Sequence, residues 1–242
     1  MAILYIAIMK GEHEYSLRDY VGAFVRVASS RNNAYKDPVL YENLVNFLYK
    51  RQLVADQVGV LFQELLPPTT PEFQQTILEE ASGTGIVAFT LARRGYKVIA
   101  TDIEIAALEE IESKNIDRLP ILPTNADLNK PLPLASNSVE GVVLVSADRY
   151  IKDIDTFLSE IHRVLKMGGV FIWPQTLVGS MLWKLQTSTK QPISKEGLSR
   201  ILESKGFEIL SEEGKPSFWE NLQAGIPPYA IPSYLIAKKL ST

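Results

Sequence analysis

The feature that most constrains this chain is an alternation beginning after Pro71, where short apolar runs take turns with stretches of helical period. Such alternation specifies βαβ units. It therefore predicts a mostly parallel sheet, because parallel strands need helical crossovers to connect them. The runs predict strands near Thr76–Ala81, Lys97–Asp102, Leu119–Thr124, Val139–Ser146 and Gly169–Gln175. Helices are expected between them, near Ile86–Arg94, Ile105–Asn115 and Ile154–Lys166. A helix near Lys195–Lys205 and strands near Phe207–Glu212 and Ser233–Lys239 bring the expected α/β sheet to seven strands.

Ahead of Pro71 the period is helical. Leu17, Tyr20, Val21, Phe24, Val25 and Val27 recur at helix spacing between Ser16 and Ser30, until Asn32 and Asn33 interrupt them. A longer stretch or pair of helices follows from about Pro38 to Leu66, and Pro67, Pro68 and Pro71 end it by removing amide donors. The expected organisation is a helical lid over residues 1–70 and a main domain over 71–242. With 242 residues, 46% of them apolar, the chain can bury one sizeable core.

A formal charge of -3 offers no basic footprint for a phosphate backbone or an anionic membrane surface, so neither nucleic acid nor membrane is an expected partner. The chain has no cysteine, which excludes disulfides, zinc–cysteine sites, iron–sulfur clusters and thiol nucleophiles. The apolar run Ala2–Met9 is too short to cross a bilayer and lacks the basic start and cleavage site of a signal peptide, so a cytoplasmic location is expected. That run reads either as a strand or as upstream sequence preceding a natural start at Met9.

The chemistry concentrates in Thr76-Ile-Leu-Glu-Glu-Ala-Ser-Gly-Thr-Gly85, which passes from a strand through a glycine turn straight into a helix. Glycines let a ligand approach the backbone closely, and the amides at the helix start favour negative or polar groups. Asp102 ends the next strand, nineteen residues after Gly83, where a carboxylate can accept hydrogen bonds from a ribose diol. A nucleoside cofactor is implied. Gly83-Thr-Gly85-Ile-Val-Ala88 also satisfies the G-x-G-x-x-G/A fingerprint of dinucleotide sites, which keeps a NAD-linked oxidoreductase open. Glu79 counts against it, since a carboxylate there opposes a pyrophosphate and suits an ammonium or sulfonium group.

In this order of motifs the chain resembles the class I S-adenosylmethionine-dependent methyltransferases, specifically the small-molecule group that includes the ubiquinone-biosynthesis type. The resemblance covers roughly Thr76 to Gly206. It rests on Ile77–Gly85, Val98-Ile-Ala-Thr-Asp102, Asn125-Ala-Asp-Leu128 with Leu132-Pro-Leu134 and Ser138-Val-Glu140, and Glu160-Ile-His-Arg-Val-Leu-Lys-Met-Gly-Gly-Val170. It implies a Rossmann-like, doubly wound fold and S-adenosylmethionine as cofactor. It also implies a cofactor site of Glu79, Ala81, Gly83, Gly85, Asp102, Ile103, Asp127, Leu128, Val145 and Ser146. Glu79 and the Gly83–Gly85 backbone would lie at the methionine end and Asp102 at the ribose. Asp127 would accept from the adenine amino group, the Leu128 amide would address the ring, and the carbonyls around Val145 and Ser146 would face the ammonium and the methyl. Ala81, Glu80, Glu140 and Met167 depart from the usual glycine, apolar residue, aspartate and proline, which leaves room for a member that keeps the fold as a non-catalytic partner subunit.

Methyl transfer from a sulfonium is an in-line displacement and needs no dedicated catalytic residue. His13 lies in a polar stretch and His162 within an amphipathic helix, where a structural or solvent-facing role is expected. Asp148, Arg149 and Tyr150 follow the fourth strand, where ligands of parallel sheets bind. Tyr35, Tyr41, Trp173, Gln175, Trp183, Phe218 and Trp219 are candidates to line the pocket of a small-molecule acceptor.

Overall fold

The computed structural model describes residues 51–70, 74–147, 150–175, 195–211 and 233–240, which all fall in one compact unit, Tyr49–Thr242. The strands are β1 (Thr76–Glu80), β2 (Lys97–Asp102), β3 (Ile121–Asn125), β4 (Val139–Leu144), β5 (Leu165–Gln175), β6 (Phe207–Ser211) and β7 (Ser233–Lys239). They form one seven-stranded sheet in the order β3-β2-β1-β4-β5-β7-β6. The helices among the described residues are α1 (Arg51–Leu65), α2 (Ile86–Arg93), α3 (Ile105–Lys114), α4 (Ile154–Val164) and α5 (Lys195–Ser204). β1 to β5 pair in parallel, whereas β7 runs antiparallel to both β5 and β6. The mostly parallel sheet expected from the alternation, and the doubly wound α/β fold implied by the resemblance, are both observed. Strand order reverses between β1 and β4, and at such a switch point the loops diverge and open a crevice at the carboxyl ends of the strands.

Alternation along each strand separates two cores. Ile77, Val98, Ala100, Val143 and Ile172 face α1, α2 and α3, where Val58, Phe62, Ala88, Leu91 and Ile111 are buried with them. Leu78, Val142, Leu144, Phe171 and Trp173 face the other way, toward Phe157, Leu158 and Ile161 of α4 and Leu198 and Leu202 of α5. Covering both faces explains why the central strands read as nearly continuous apolar runs rather than as alternating ones. Helix α1, expected within the lid segment, is a core element, with Val54, Ala55, Val58 and Phe62 fully buried. The chain leaving it is held by Tyr96, whose hydroxyl donates to the Leu66 carbonyl at 2.7 Å while its ring lies 6.2 Å from that of Phe62.

Helix α4 is closed at both ends. The Asp153 side chain accepts from the Asp155 and Thr156 amides at 3.0 and 3.4 Å, a side-chain cap on otherwise unsatisfied donors. At the far end the buried Lys239 ammonium donates to the His162 and Leu165 carbonyls at 2.7 and 2.8 Å and to Asn137 Oδ1 at 2.8 Å, placing a cation where the helix dipole favours one. His162 packs edge-on against Phe207, with ring centroids 5.2 Å apart. Burial, then the Lys239 and Lys205 charges, push its imidazole below the usual histidine range, in keeping with a structural histidine.

Several boundaries differ from expectation for local reasons. β4 stops at Leu144 rather than Ser146 because Ser146 takes a left-handed backbone, φ 57°. α4 ends at Val164, not Lys166, because Leu165 is already extended, and β5 starts there instead of at Gly169. β3 begins at Ile121 rather than Leu119, after Pro120, which has no amide to give the ladder. Residues 1–50, and with them most of the lid segment, lie outside the described residues.

Gly141 in β4 pairs with Ile77 of β1 and lies under α1. A Cβ there would come within 2.6 Å of both Ile77 Cδ1 and Phe62 Cε1, the ends of two fully buried side chains. Gly141→Ala is therefore expected to lower unfolding stability by about 1–3 kcal/mol, measured as a shift in the urea midpoint, with the sheet retained.

Candidate functional site

β1 delivers the chain to the crevice with two acidic side chains pointing to opposite faces, Glu79 with Ile77 and Glu80 with Leu78. Both are buried, at 1% and 2% exposure, although ionisable side chains are rarely this deep. The turn that follows requires left-handed backbone three times, at Ala81 (φ 52°), Gly83 (φ 55°) and Gly85 (φ 82°). Gly85 then serves as the N-cap of α2 with no side chain capping it. It must also be small, since a Cβ would meet Ile111 Cγ1 at 2.8 Å.

Asp102, at the end of β2, organises this turn. One carboxylate oxygen accepts from the Gly83 amide at 2.7 Å and the other from the Glu104 amide at 2.9 Å. The adjoining Ser82 amide donates to the Thr101 carbonyl at 2.8 Å, so the β1 turn is stitched to the end of β2 at two successive residues. From the other side, Asn125 at the end of β3 donates through Nδ2 to the Asp102 and Ile103 carbonyls, each at 3.1 Å. Ile103 is left largely exposed beside the crevice, at 59%, unusual for an isoleucine following a buried strand.

Glu80 lies on the α4 side. Thr101 Oγ1 is within reach of both Glu80 Oε2, at 2.9 Å, and the Glu79 carbonyl, at 3.1 Å. One hydroxyl proton cannot serve both. If Glu80 keeps its own proton it donates to Thr101, Thr101 donates to the Glu79 carbonyl, and the chain is satisfied. Burial, opposed by the Thr101 contact and reinforced by the nearby Glu160 and Asp102 charges, pushes the Glu80 carboxyl up to about 7. Glu160 is held low by its bond to Arg163 and by the Leu132 amide.

Asp127 and Leu128, both half-buried, follow β3. Asp127 Oδ1 accepts from the Asn129 amide at 3.0 Å and from Asn129 Nδ2 at 3.2 Å. The Asn129 amide chiefly, opposed by burial and assisted by Asn129 Nδ2, Lys130 and Lys152, holds this carboxyl below the usual range. Across the crevice β4 ends in buried Val145 and left-handed Ser146. Among the described residues, Ala81, Arg118, Asn137 and Ser146 are the non-glycine residues with positive φ. Two of these four terminate β1 and β4, the strands that flank the switch point. Unfavourable backbone of this kind concentrates at ligand sites.

The fold thus brings Glu79, Ala81, Gly83, Gly85, Asp102, Ile103, Asp127, Leu128, Val145 and Ser146 to the ends of four neighbouring strands. Of the acceptor candidates, Tyr150 is half-buried and Trp173 is core, its ring edge-on to Phe157 at 6.1 Å and tilted against Phe171 at 5.7 Å. Gln175 closes β5, opposite Ser233. Tyr35, Tyr41, Asp148, Arg149, Trp183 and Trp219 lie outside the described residues, as do His13 and Phe218. Thr101, Asn125 and Asn129, which build the walls, were not singled out from the sequence as site residues.

Glu80 makes stability pH-dependent. Its carboxyl titrates near 4.5 when unfolded and near 7 when folded, so its contribution is full below about pH 4.5 and is lost as pH rises through 7. Glu80→Gln removes that loss and keeps a donor to Thr101. The variant is expected to gain roughly 3 kcal/mol relative to the parent between pH 5 and pH 8, read from urea unfolding at both values. An unchanged difference between the two pH values would show that Glu80 is already ionised in the folded protein.

Residues 78–173 match the model of a family described as a methyltransferase domain. A demethylmenaquinone methyltransferase of Streptomyces avermitilis is 36% identical over 95 residues, 39% of this chain and 39% of that protein. A ubiquinone/menaquinone biosynthesis C-methyltransferase of Rhizobium meliloti is 33% identical over 113 residues, 43% of this chain and 42% of that one. The chain thus spans about two fifths of the length of these curated relatives. The crystal structure of an S-adenosylmethionine-dependent methyltransferase from Mesorhizobium loti superposes with a TM-score of 0.58 at 18% identity, covering 76% of this chain and 100% of that one. Motif order, strand order and family match agree: residues 78–173 match a methyltransferase domain, on a sheet like that of the S-adenosylmethionine-dependent methyltransferases.

Proposed function

We propose that this protein binds S-adenosylmethionine across the ends of β1 to β4 and passes its methyl group to carbon of a small-molecule acceptor. The observation that carries this reading is the placement of three carboxylates, Glu79, Asp102 and Asp127, at the carboxyl ends of the neighbouring strands β1, β2 and β3, with Asp102 bound to the glycine turn. Each suits a different part of the cofactor. A carboxylate oxygen accepts more than one hydrogen bond, so ribose hydroxyls can join the Gly83 and Glu104 amides on Asp102. Glu79, deep beneath the turn, favours a ligand end bearing ammonium and sulfonium charge over a pyrophosphate. That weighs against the dinucleotide reading of the same glycines. Asp127 offers an acceptor to the adenine amino group, and Ile103 an apolar surface to the ring. Carbon as the accepting atom rests on the names of the relatives, which include C-methyltransferases.

When bound, the cofactor supplies an electrophilic methyl group on sulfur. The protein's share is to hold the acceptor in line with that group and keep water out. Just beyond β4, Ser146 takes a left-handed backbone beside the crevice, and on the other side the turn at Gly83 and Gly85 presents backbone without side chains at two of its positions. A general base is not required by the displacement itself. Removal of a proton from a carbon acceptor falls to a residue that contacts that acceptor.

Titration calorimetry tests the donor half. The protein should bind S-adenosylmethionine and S-adenosylhomocysteine, and Asp102→Ala should weaken both by about 10- to 100-fold through loss of charge-assisted bonds to the ribose. No binding at millimolar cofactor, or thermal protection by a nicotinamide dinucleotide but not by S-adenosylhomocysteine, would overturn the reading.

A further inference from the structure

Asn129 makes contacts that a turn residue does not need. An Asx turn at Asp127 is complete once the Asn129 amide reaches Oδ1, at 3.0 Å. The Asn129 side chain adds a second donor to the same oxygen, Nδ2 at 3.2 Å, and the same Nδ2 lies 3.1 Å from the Tyr150 carbonyl. Its Oδ1 accepts from the Lys152 amide at 2.7 Å. One side chain therefore links the loop after β3 to the segment after β4, 21 and 23 residues further along the chain. The arrangement is directional. With Oδ1 of Asp127 engaged twice by Asn129, Oδ2 is the oxygen left for an outside donor, and among the described residues its neighbour is the largely exposed Lys130 ammonium at 3.7 Å.

We propose that Asn129 is a positioning residue that aims Asp127 Oδ2 at the exocyclic amino group of adenine and, through Tyr150 and Lys152, couples adenine recognition to the segment after β4. The inference rests on the cofactor reading above. Its physical content is that a carboxylate gripped on one oxygen by a rigid amide presents the other in one direction, and that the amide cannot move without pulling on the Tyr150–Lys152 backbone. Asn129 touches neither cofactor nor acceptor in this scheme. It sets the preference for an amino group over a carbonyl at the six-position of the purine, because a carbonyl oxygen facing Asp127 is repelled.

The experiment compares S-adenosylhomocysteine with S-inosylhomocysteine, which differ at that position. Wild-type protein should prefer the adenosyl ligand about tenfold or more. Asn129→Ala, Asp127→Ala and the double variant should each reduce the preference to less than about threefold, with no further loss in the double variant. Hydrogen exchange at the Lys152 amide gives the second readout: S-adenosylhomocysteine should slow it in the wild type and not in Asn129→Ala. Asn129→Asp keeps an acceptor for Lys152 but loses the Nδ2 donor, so it should lose the preference while retaining the protection of that amide seen without ligand. This guards against a variant that merely misfolds. A wild type that binds neither ligand overturns the cofactor reading and this inference with it. A wild type that binds S-adenosylhomocysteine, with Asn129→Ala keeping its preference or its ligand-induced protection, overturns this inference alone.

Discussion

The grip of the Asp102 carboxylate on two backbone amides is the interaction on which the crevice depends. Parallel strands end without hairpins, so nothing in the sheet itself dictates how the chains leaving β1 and β2 should lie relative to each other. Asp102 supplies that relation by holding Gly83 on one side and Glu104 on the other. Asn125 then ties the same corner to β3. Charge-assisted bonds to a buried carboxylate are among the stronger polar contacts available, and they tolerate little displacement. The side chain proposed to bind the ribose is therefore also the brace that shapes the site.

The acids around this corner illustrate how a single sheet sustains different protonation states a few residues apart. Asp127, supplied with donors by Asn129, stays ionised readily, whereas Glu80, buried with one hydroxyl neighbour, holds its proton to about pH 7. Desolvation raises a carboxyl and donors lower it; burial prevails at Glu80 and the Asn129 donors prevail at Asp127. Glu80 occupies a strand position where apolar side chains are the rule, and a neutral carboxyl is the form closest to that rule.

Much of the architecture was legible in the sequence because period and punctuation are local. The strands from Thr76 to Ser146 and the helices between them were placed to within two residues, and the glycine turn was located to the residue. Pairing order was less visible. The insertion of β7 between β5 and β6 depends on partners such as Val170 and Lys238, far apart in the chain, and no periodicity encodes that register. Lys166, expected to end a helix, and Met167 and Gly168 after it lie within β5, at a shift of register against β4: Leu165 pairs with Val139 and Val170 with Gly141. In the candidate site, the expectations for Glu79, Asp102 and Asp127 came from motifs. None arose for Asn129, since its role consists of contacts to Tyr150 and Lys152 that exist only after folding. Trp173 reads from the sequence as a candidate pocket wall, and its neighbours Phe157 and Phe171 place it in the core.

The position of β7 also bears on the order in which the sheet can assemble during synthesis. β1 to β5 emerge from the ribosome in sequence and can pair as they appear, each new strand finding a partner already made. β6 emerges next and has none, because its neighbour in the sheet is β7, which is translated later. Until residues 233–239 are available, the outer edge of β5 from Val170 to Gln175 carries unpaired backbone groups and an apolar face, the kind of edge that invites misassociation. Closure then comes from one strand that pairs on both sides at once and carries Lys239 into the carbonyls at the end of α4. A nascent chain halted before residue 233 would be expected to hold a nearly complete cofactor crevice on an open sheet.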